Sequence, residues 1–381
     1  WSSDVCSSDL SGGVDSAVAA YLLKEQGHDV TCAFMRNWDA NTNNDILGNP
    51  TNGDAICPQE KDYNDAKEVA EKLNLPLLRV DFIEEYWQEV FLQFLEEDKK
   101  GRTPNPDILC NKYIKFDHFK KYANQLGFEY LATGHYCKRI EQEGKVYLGK
   151  ADDRNKDQSY FLAQVDKEAI EKTYFPLGEI DKPEVRRIAR ELELNVAEKK
   201  DSTGICFIGE RNFREFLQNY LPSKDGNIVD LKSGKVLGKH IGVLYYTIGQ
   251  RKGLNLSGGP WFVASKDVNK NILYVVNMSY EGLLNSDACL IRGFNYMTDF
   301  RPEACNAKFR YRQQDNPVEV EYLNAEELLL HYPQGVKAVT PGQQAVLYLN
   351  DICLGGGVIE ETYYRSKPMY ERLMEVQNED V

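Results

Sequence analysis

The sequence predicts an α/β fold: a doubly wound parallel sheet, followed by a small central domain and a C-terminal β-barrel. Three observations predict it. Short apolar runs alternate with helix-period runs through the first third of the chain; a glycine-rich turn opens the first helix; and beyond residue 201 the pattern changes to short β-like runs separated by Gly, Asn and Asp. Alternation of the first kind implies parallel strands with helices on both faces, and ligands at the carboxyl ends of the strands.

The elements follow in order. Ser11-Gly12-Gly13-Val14-Asp15-Ser16 runs into a helix whose Val14, Ala17, Val18, Tyr21 and Leu22 keep helical spacing, with Gly27 as its stop. A strand is expected at 28–35, a polar excursion at 37–58, a helix at 61–73, a strand at 77–82, helices at 85–95 and 112–126, and a strand at 130–133. A helical piece at 212–220 precedes β-like runs at 242–248, 261–264, 272–276, 289–294, 307–311, 318–323, 345–349 and 358–360, a spacing that suits a barrel or sandwich. The expected domains are 1–200, 201–280 and 281–362, with an acidic surface tail at 363–381. The first ten residues repeat Ser-Ser-Asp and are polar, so they are expected not to pack as the buried central strand that should precede the glycine turn, and Cys6 is given no role.

At 381 residues the chain can bury a sizeable core. No apolar run approaches a membrane span and none reads as a secretion signal. Nine irregularly spaced cysteines without a Cys-x-x-Cys predict a reducing cytoplasm and a few functional thiols, with neither a disulfide scaffold nor a metal site. A net charge of −13 argues against indiscriminate nucleic-acid binding but leaves room for a local basic face.

Three constellations carry chemistry. The turn 11–16 aims backbone N–H groups and the positive end of a helix at an anion, and its glycines allow close approach. It has no Lys, which separates it from the common Lys-containing phosphate loop. In Asn105-Pro106-Asp107-Ile108-Leu109-Cys110, two nearby prolines (104 and 106) pin an extended loop, and a thiol at the helix start has its thiolate favoured, with Lys112 and Lys115 reinforcing the effect. Asp107 suits proton transfer. Cys206 lies in a Gly-flanked loop, 204–209, and only tertiary folding can bring it to Cys110. Residues 99–121 carry seven Lys or Arg against Asp107 and Asp117, a local +5. Lys308, Arg310 and Arg312 alternate with Phe309 and Tyr311, which on a strand puts the three cations on one face. For any one of these residues, an inert buried thiol or a solvated surface charge is the competing reading.

Ser-Gly-Gly-x-Asp-Ser resembles the pyrophosphate (PP) loop of ATP pyrophosphatases. Together with Asn105-Pro106-Asp107-x-x-Cys110-Asn111, Ala132-Thr133-Gly134-His135-Tyr136, Lys156-Asp157-Gln158-Ser159-Tyr160 and Gly204-Ile205-Cys206-Phe207-Ile208-Gly209, in that order, it makes nearly the whole chain similar to the tRNA-specific 2-thiouridylase family. Later echoes are 246–253, 310–313 and 341–343. The resemblance implies a PP-loop adenylation domain, with 201–280 as a tRNA-binding linker domain. It also implies ATP on Ser11, Gly12, Gly13, Val14, Asp15 and Ser16 with Met35 and Gly134 nearby, and Mg²⁺ on the phosphates. Adenylation of the 2-oxygen of the wobble uridine in tRNA for Lys, Glu and Gln would be followed by transfer of a persulfide sulfur from Cys206. Cys110 would release it through a transient disulfide and Asp107 would act as acid/base. It places Asn105, Pro106 and Asp107 on the target base, and His135, Lys156, Asp157, Gln158, Arg310, Tyr311 and Gln343 on tRNA. A cysteine desulfurase or sulfur relay protein would donate the sulfur. Because the residues just before Ser11 depart from the family pattern, weak ATP binding is expected of this polypeptide. The competing readings are another PP-loop adenylating synthetase, an iron–sulfur tRNA thiolase, disfavoured by the missing Cys-x-x-Cys, and an RNA-binding module with a vestigial loop.

Overall fold

The computed structural model describes residues 4–8, 10–49, 58–201 and 212–376, the first five by their backbone. A parallel sheet of five strands forms the first layer: β1 (Asp4–Ser8), β2 (Asp29–Arg36), β3 (Leu77–Asp81), β4 (Tyr130–Ala132) and β7 (Thr173–Tyr174), in the order β3-β2-β1-β4-β7. Between β4 and β7 the chain makes an antiparallel hairpin, β5 (Cys137–Gln142) and β6 (Lys145–Lys150). The β2 side chains are buried along nearly its whole length, as a parallel strand covered on both faces requires.

The polar start of the chain is the central strand, contrary to the sequence expectation. Five β1 residues pair with β2, Asp4 opposite Asp29 to Ser8 opposite Ala33, and Val5 to Ser7 pair with β4. A strand in mid-sheet is held by its backbone ladder on both edges, so strand propensity yields to position. Leu10, fully buried, closes the strand by donating its N–H to Ala33 O (3.0 Å).

Helix α1 (Val14–Glu25) follows at the carboxyl end of β1 and α2 (Pro58–Leu73) follows β2. Val14, Ala17, Val18 and Leu23 of α1 pack with Val69 and Ala70 of α2 and with Val185 and Ala189 of the helix Lys182–Glu191. Asp181 starts that helix by accepting the Glu184 N–H (2.9 Å), with Pro183 in its first turn.

Beyond residue 212 two β-layers appear. The central sheet has the order β10-β11-β8-β9, from β8 (Gly226–Asp230), β9 (Val236–His240), β10 (Trp261–Asp267) and β11 (Ile272–Asn277). Six strands close the C-terminal barrel: β12 (Asn285–Tyr296), β13 (Ala304–Lys308), β14 (Asn316–Tyr322), β15 (Leu328–Lys337), β16 (Gln344–Leu349) and β17 (Ile352–Tyr364), with β12 pairing both β15 and β17. Its core is Cys289, Ile291, Leu328, Leu330, Leu347 and Ile359.

Three expectations change here. Residues 243–245 form a short helical turn instead of a strand. Strand β13 ends at Lys308, so 309–312 turn and the three cations do not share a strand face. The tail is not merely a surface segment: the helix Met369–Val376 buries Leu373 against Val229, Tyr274 and Leu284. Leu373→Ala is therefore expected to cost about 2–5 kcal/mol of stability, measured by denaturant unfolding; an unchanged midpoint would show that the tail is undocked.

Candidate functional site

The glycine turn lies at the switch point of the sheet, where β1 has β2 on one side and β4 on the other. Gly12 has φ +73°, and a Cβ there would stand 2.5 Å from the Asp62 carbonyl oxygen, so only glycine fits. Gly13 occupies the N-cap of α1 and has no side chain to cap it, so that position leaves the positive helix end available to an anion. The Ser16 hydroxyl donates to Gly13 O (3.1 Å) and accepts from Ser11 N–H (3.3 Å), which fixes the turn from within. The loop after β4 closes over it. A Cβ on Gly134 would lie 2.9 Å from Ser16 N, so the two loops touch backbone to backbone. Met35, near the end of β2, is buried, and two residues on Asn37 is fully buried with neither amide atom hydrogen-bonded among the described residues. A cradle of this kind fits the phosphates of a nucleotide.

The cation absent from the turn is supplied by Lys182. Its side chain is only 10% exposed, and Nζ donates to both Asp15 oxygens (2.7 and 2.8 Å) and pairs with Asp201 Oδ1 (2.7 Å). Tyr136 donates its hydroxyl to Asp15 (2.7 Å). Asp201 is also held by Lys156 (2.6 Å) and Arg186 (2.9 Å). These cations outweigh the partial desolvation and hold its carboxyl down at about 2. Lys199 anchors Asp62 (2.8 Å) and Asp65 (2.6 Å) on α2. Neither Lys182 nor Asp201 stands out in the sequence, because each is a single charged residue whose partner lies far along the chain.

Asn105 caps the next helical segment by accepting the Asp107 N–H (3.1 Å), and Pro106 opens its first turn. Asp107 thus sits where the helix dipole favours a carboxylate. Cys110 is not at the helix start as expected. It lies one turn inside, 1% exposed, where the backbone widens into i→i+5 turns over Cys110–His118. Such wide turns recur at functional sites. Cys110 shares a buried cluster with Met35, Ala33 and Leu131. Burial pushes the thiols of Cys32, Cys289, Cys305 and Cys353 up to about 12, and Cys137 well above its ordinary value, which leaves those five inert. Cys206 lies outside the described residues.

A strap from the barrel holds the loop leading to Asp107. Thr103 donates its N–H to Pro341 O (3.0 Å), and Gln343 donates Nε2 to Thr103 O (2.7 Å). Gly342, at φ +93°, has no room for a Cβ beside Thr103 N (2.6 Å). Arg102 pairs with Glu97 and Glu360 (2.8 Å each) and donates to Ile359 O (3.2 Å).

The basic run 99–121 is partly neutralised: Lys100 pairs with Glu97 and Lys121 with Asp117, while Lys115 is buried near His135. Asp157 is buried, accepting from Ala151 N–H (3.1 Å) and the Ser159 hydroxyl (3.0 Å) with Lys308 at 3.5 Å. Gln158 Oε1 accepts the Tyr136 N–H (2.9 Å). Arg310 is spent between layers, donating Nη2 to Ile248 O (2.9 Å), Ala338 O and Thr340 Oγ1 (2.8 Å each). Tyr311 packs at a tilt against Phe161, with ring centroids 4.3 Å apart, and stays half-buried, as does Lys156.

His135 is buried with Nδ1 2.9 Å from Thr133 Oγ1, and desolvation, with Lys115 nearby, keeps its ring neutral well below the usual histidine range. A histidine that cannot charge in the folded state binds its proton only on unfolding. Its stabilising contribution is therefore complete above the ordinary pKa of about 6.5 and is lost as pH falls below it.

Matches to three family profiles cover most of the chain: a tRNA methyl transferase HUP domain over residues 5–210, a tRNA methyl transferase PRC-barrel domain over 214–277 and an aminomethyltransferase β-barrel domain over 286–359. The chain is 59% identical over 364 residues to the tRNA-specific 2-thiouridylase MnmA of Mycoplasma capricolum (92% of this chain, 97% of that one) and 58% identical to the protein of the same name from Mycoplasma mycoides, with the same coverage. The one from Mesoplasma florum is 55% identical, over 92% of this chain and 97% of that one. Among solved structures, an NMN synthetase from Francisella tularensis is 18% identical with a TM-score of 0.29, covering 52% of this chain and 66% of that one, too distant to add to the comparison.

Two outcomes are expected. Arg102→Ala should speed amide hydrogen exchange across 101–107, at Thr103 above all, while β2 stays protected; unchanged protection would show that the strap is not what holds the loop. His135→Gln should flatten the stability–pH curve below pH 6.5 by up to about 1.4 kcal/mol per pH unit, read from denaturant midpoints; a parallel curve would mean that His135 charges while folded.

Proposed function

This chain belongs to the tRNA-specific 2-thiouridylase MnmA family of the PP-loop superfamily, and on that footing we propose that it replaces the 2-oxygen of the wobble uridine of tRNA with sulfur at the expense of ATP. The observation that carries the reading is the contact chain from the glycine turn through Gly134 and His135 to the helix of Asp107, Cys110 and Lys115. It joins an anion cradle to a carboxylate and a thiol within one fold. The acceptors we assign are tRNAs for Lys, Glu and Gln.

ATP supplies the adenylyl group that turns the uridine 2-oxygen into a leaving group. The first-turn N–H groups of α1 hold its phosphates, with Lys182 within reach as Asp15 exchanges partners. Met35 and Gly134 border the nucleotide. Mg²⁺ would come in on the phosphates and share Asp15, because among the described residues no three His, Cys, Asp or Glu side chains converge. Asp107, beside the target base with Asn105 and Pro106, exchanges the proton that moves as the base is activated.

Cys206 carries the incoming sulfur as a persulfide. Its terminal sulfur bonds to C2 as AMP leaves, and the Cys110 thiolate then attacks the Cys206 sulfur, freeing the thiolated base and leaving a Cys110–Cys206 disulfide for an external thiol to reduce. A cysteine desulfurase or sulfur relay protein is the donor we assign. Lys156 and Tyr311, half-exposed, contact tRNA directly, Lys156 by exchanging its bond to Asp201 for a phosphate. His135, Asp157, Gln158, Arg310 and Gln343 act by holding the surface that does so, since their polar atoms are engaged internally. Among the described residues no helix is long and apolar enough to cross a membrane; we place the enzyme in the cytoplasm with its tRNA.

Cys110→Ser and Cys206→Ser should each abolish 2-thiouridine, read on a gel that retards thiolated tRNA, while tRNA binding persists. Full thiolation by Cys206→Ser would overturn the persulfide role. Pyrophosphate release that ignores tRNA and both cysteines would point to another adenylating synthetase.

A further inference from the structure

Lys115 is 6% exposed, on a stretch of helix where Cys110, Asn111, Ile114 and Phe116 are buried as well. The i→i+5 turns over Cys110–His118 set it one wide turn beyond Cys110. The helix is fixed on both sides of this lysine. Ile114 packs into the cluster of Cys110 and Met35, and Phe116 into that of Ile108, Cys137 and Leu162. Asn111 donates Nδ2 to Phe161 O (3.2 Å), which ties the same turn to a neighbouring element. Taking an ammonium out of water is costly unless negative charge comes to it, so a lysine held here is a sign of what the site receives.

Two residues of the loop after β4 span the gap from this ammonium to the glycine turn. Gly134 meets the turn backbone to backbone: a Cβ there would stand 2.9 Å from Ser16 N and 3.1 Å from the Asp15 carbonyl carbon. The next residue, His135, lays its ring against Phe116, centroids 6.2 Å apart, and feels the Lys115 charge, which adds to burial in keeping the imidazole neutral. The Thr133 hydroxyl, 2.9 Å from Nδ1, holds that ring in place. Of the two basic side chains, Lys115 is therefore the one that carries charge.

Adenylation dictates what must lie between the turn and the helix. The turn and α1 hold the pyrophosphate part of ATP, and Asn105, Pro106 and Asp107 meet the base, so the α-phosphorus stands between them. The uridine 2-oxygen bonds to that phosphorus, its bond to the bridging oxygen breaks, pyrophosphate leaves with the electron pair, and the N3 proton passes to Asp107. Through the transition state, negative charge is spread over the equatorial oxygens of the phosphorus. A cation already fixed in a water-poor site stabilises such charge far better than a solvated one. We propose that Lys115 is a further catalytic residue, whose ammonium contacts a nonbridging oxygen of the α-phosphate and stabilises the transition state of adenylyl transfer. The inference rests on the thiolation reading above and gives Lys115 a task separate from favouring the Cys110 thiolate.

The test is single-turnover release of pyrophosphate by the full chain, in excess over a tRNA transcript for Glu, with ATP and Mg²⁺ and no sulfur donor, so that adenylation is read before any sulfur moves. Lys115→Met should slow release about 100- to 1,000-fold, as for loss of one fixed transition-state donor, with the half-saturating ATP concentration little changed. Lys115→Arg, which keeps the charge, should recover part of the rate. ATP with sulfur in place of a nonbridging α-oxygen should slow the native chain and Lys115→Arg more than Lys115→Met, which has no ammonium contact left to disturb. A native rate of release in Lys115→Met would overturn the proposal and leave the lysine only the Cys110 thiolate to act on. A slow Lys115→Met with the native response to the sulfur-substituted ATP would overturn it too, since a merely structural role predicts that. A native chain that releases no pyrophosphate with tRNA would instead overturn the thiolation reading itself.

Discussion

Lys182 is the constraint on which the rest of the site depends. A carboxylate at the start of α1 faces a helix end that favours anions, and a second carboxylate, Asp201, comes close by. Without a cation between them they would repel across a gap of low exposure. Lys182 settles both, and it arrives on a helix whose Val185 and Ala189 are already buried against α1. Apolar packing therefore puts the ammonium in place, and the ion pairs then fix the register of the turn relative to residue 201, where the chain leaves for Cys206. A lysine in the turn itself would be a permanent phosphate ligand. One borrowed from another helix, and held by carboxylates, can be given up to an incoming anion.

Charge on this molecule is organised by pairing more than by composition. The run 99–121 reads as +5 in the sequence with Asp117 already counted, yet Glu97 and Glu360 also reach it in the fold. A net positive count over a window says little once strands from the barrel bring their own carboxylates. What counts is which carboxylates the fold delivers: residues 231–266 hold no acid of their own, yet Asp98 acts on Lys266 from another element.

What was legible in the sequence was local. Ser11 to Ser16 announces itself because glycine geometry, hydroxyls and helix spacing all act within six residues, and Asn105-Pro106-Asp107 does so because a cap and a proline at the first helical position are short-range devices. Cys110 was found but misplaced by a turn, because the helix begins at Pro106. Strand β1 was illegible because its side chains argue against burial, while two neighbouring backbones decide the matter. Lys182, Asp201 and the duties of Arg310 were illegible for the opposite reason: their partners lie 15 to 167 residues away, and only folding chooses among many carboxylates and carbonyls.

The barrel is not a module hung on the end of the chain. Gly149 of β6 pairs with Ile352 of β17, and Lys150 donates its N–H to Asp351 O (2.9 Å), so a hairpin of the first domain is sewn into the barrel wall. A shortened chain ending before β12 would leave β6 as a bare edge, open to pairing with whatever strand it meets. The barrel therefore also protects the first domain from self-association, and exchanging it between relatives would require the hairpin to travel with it.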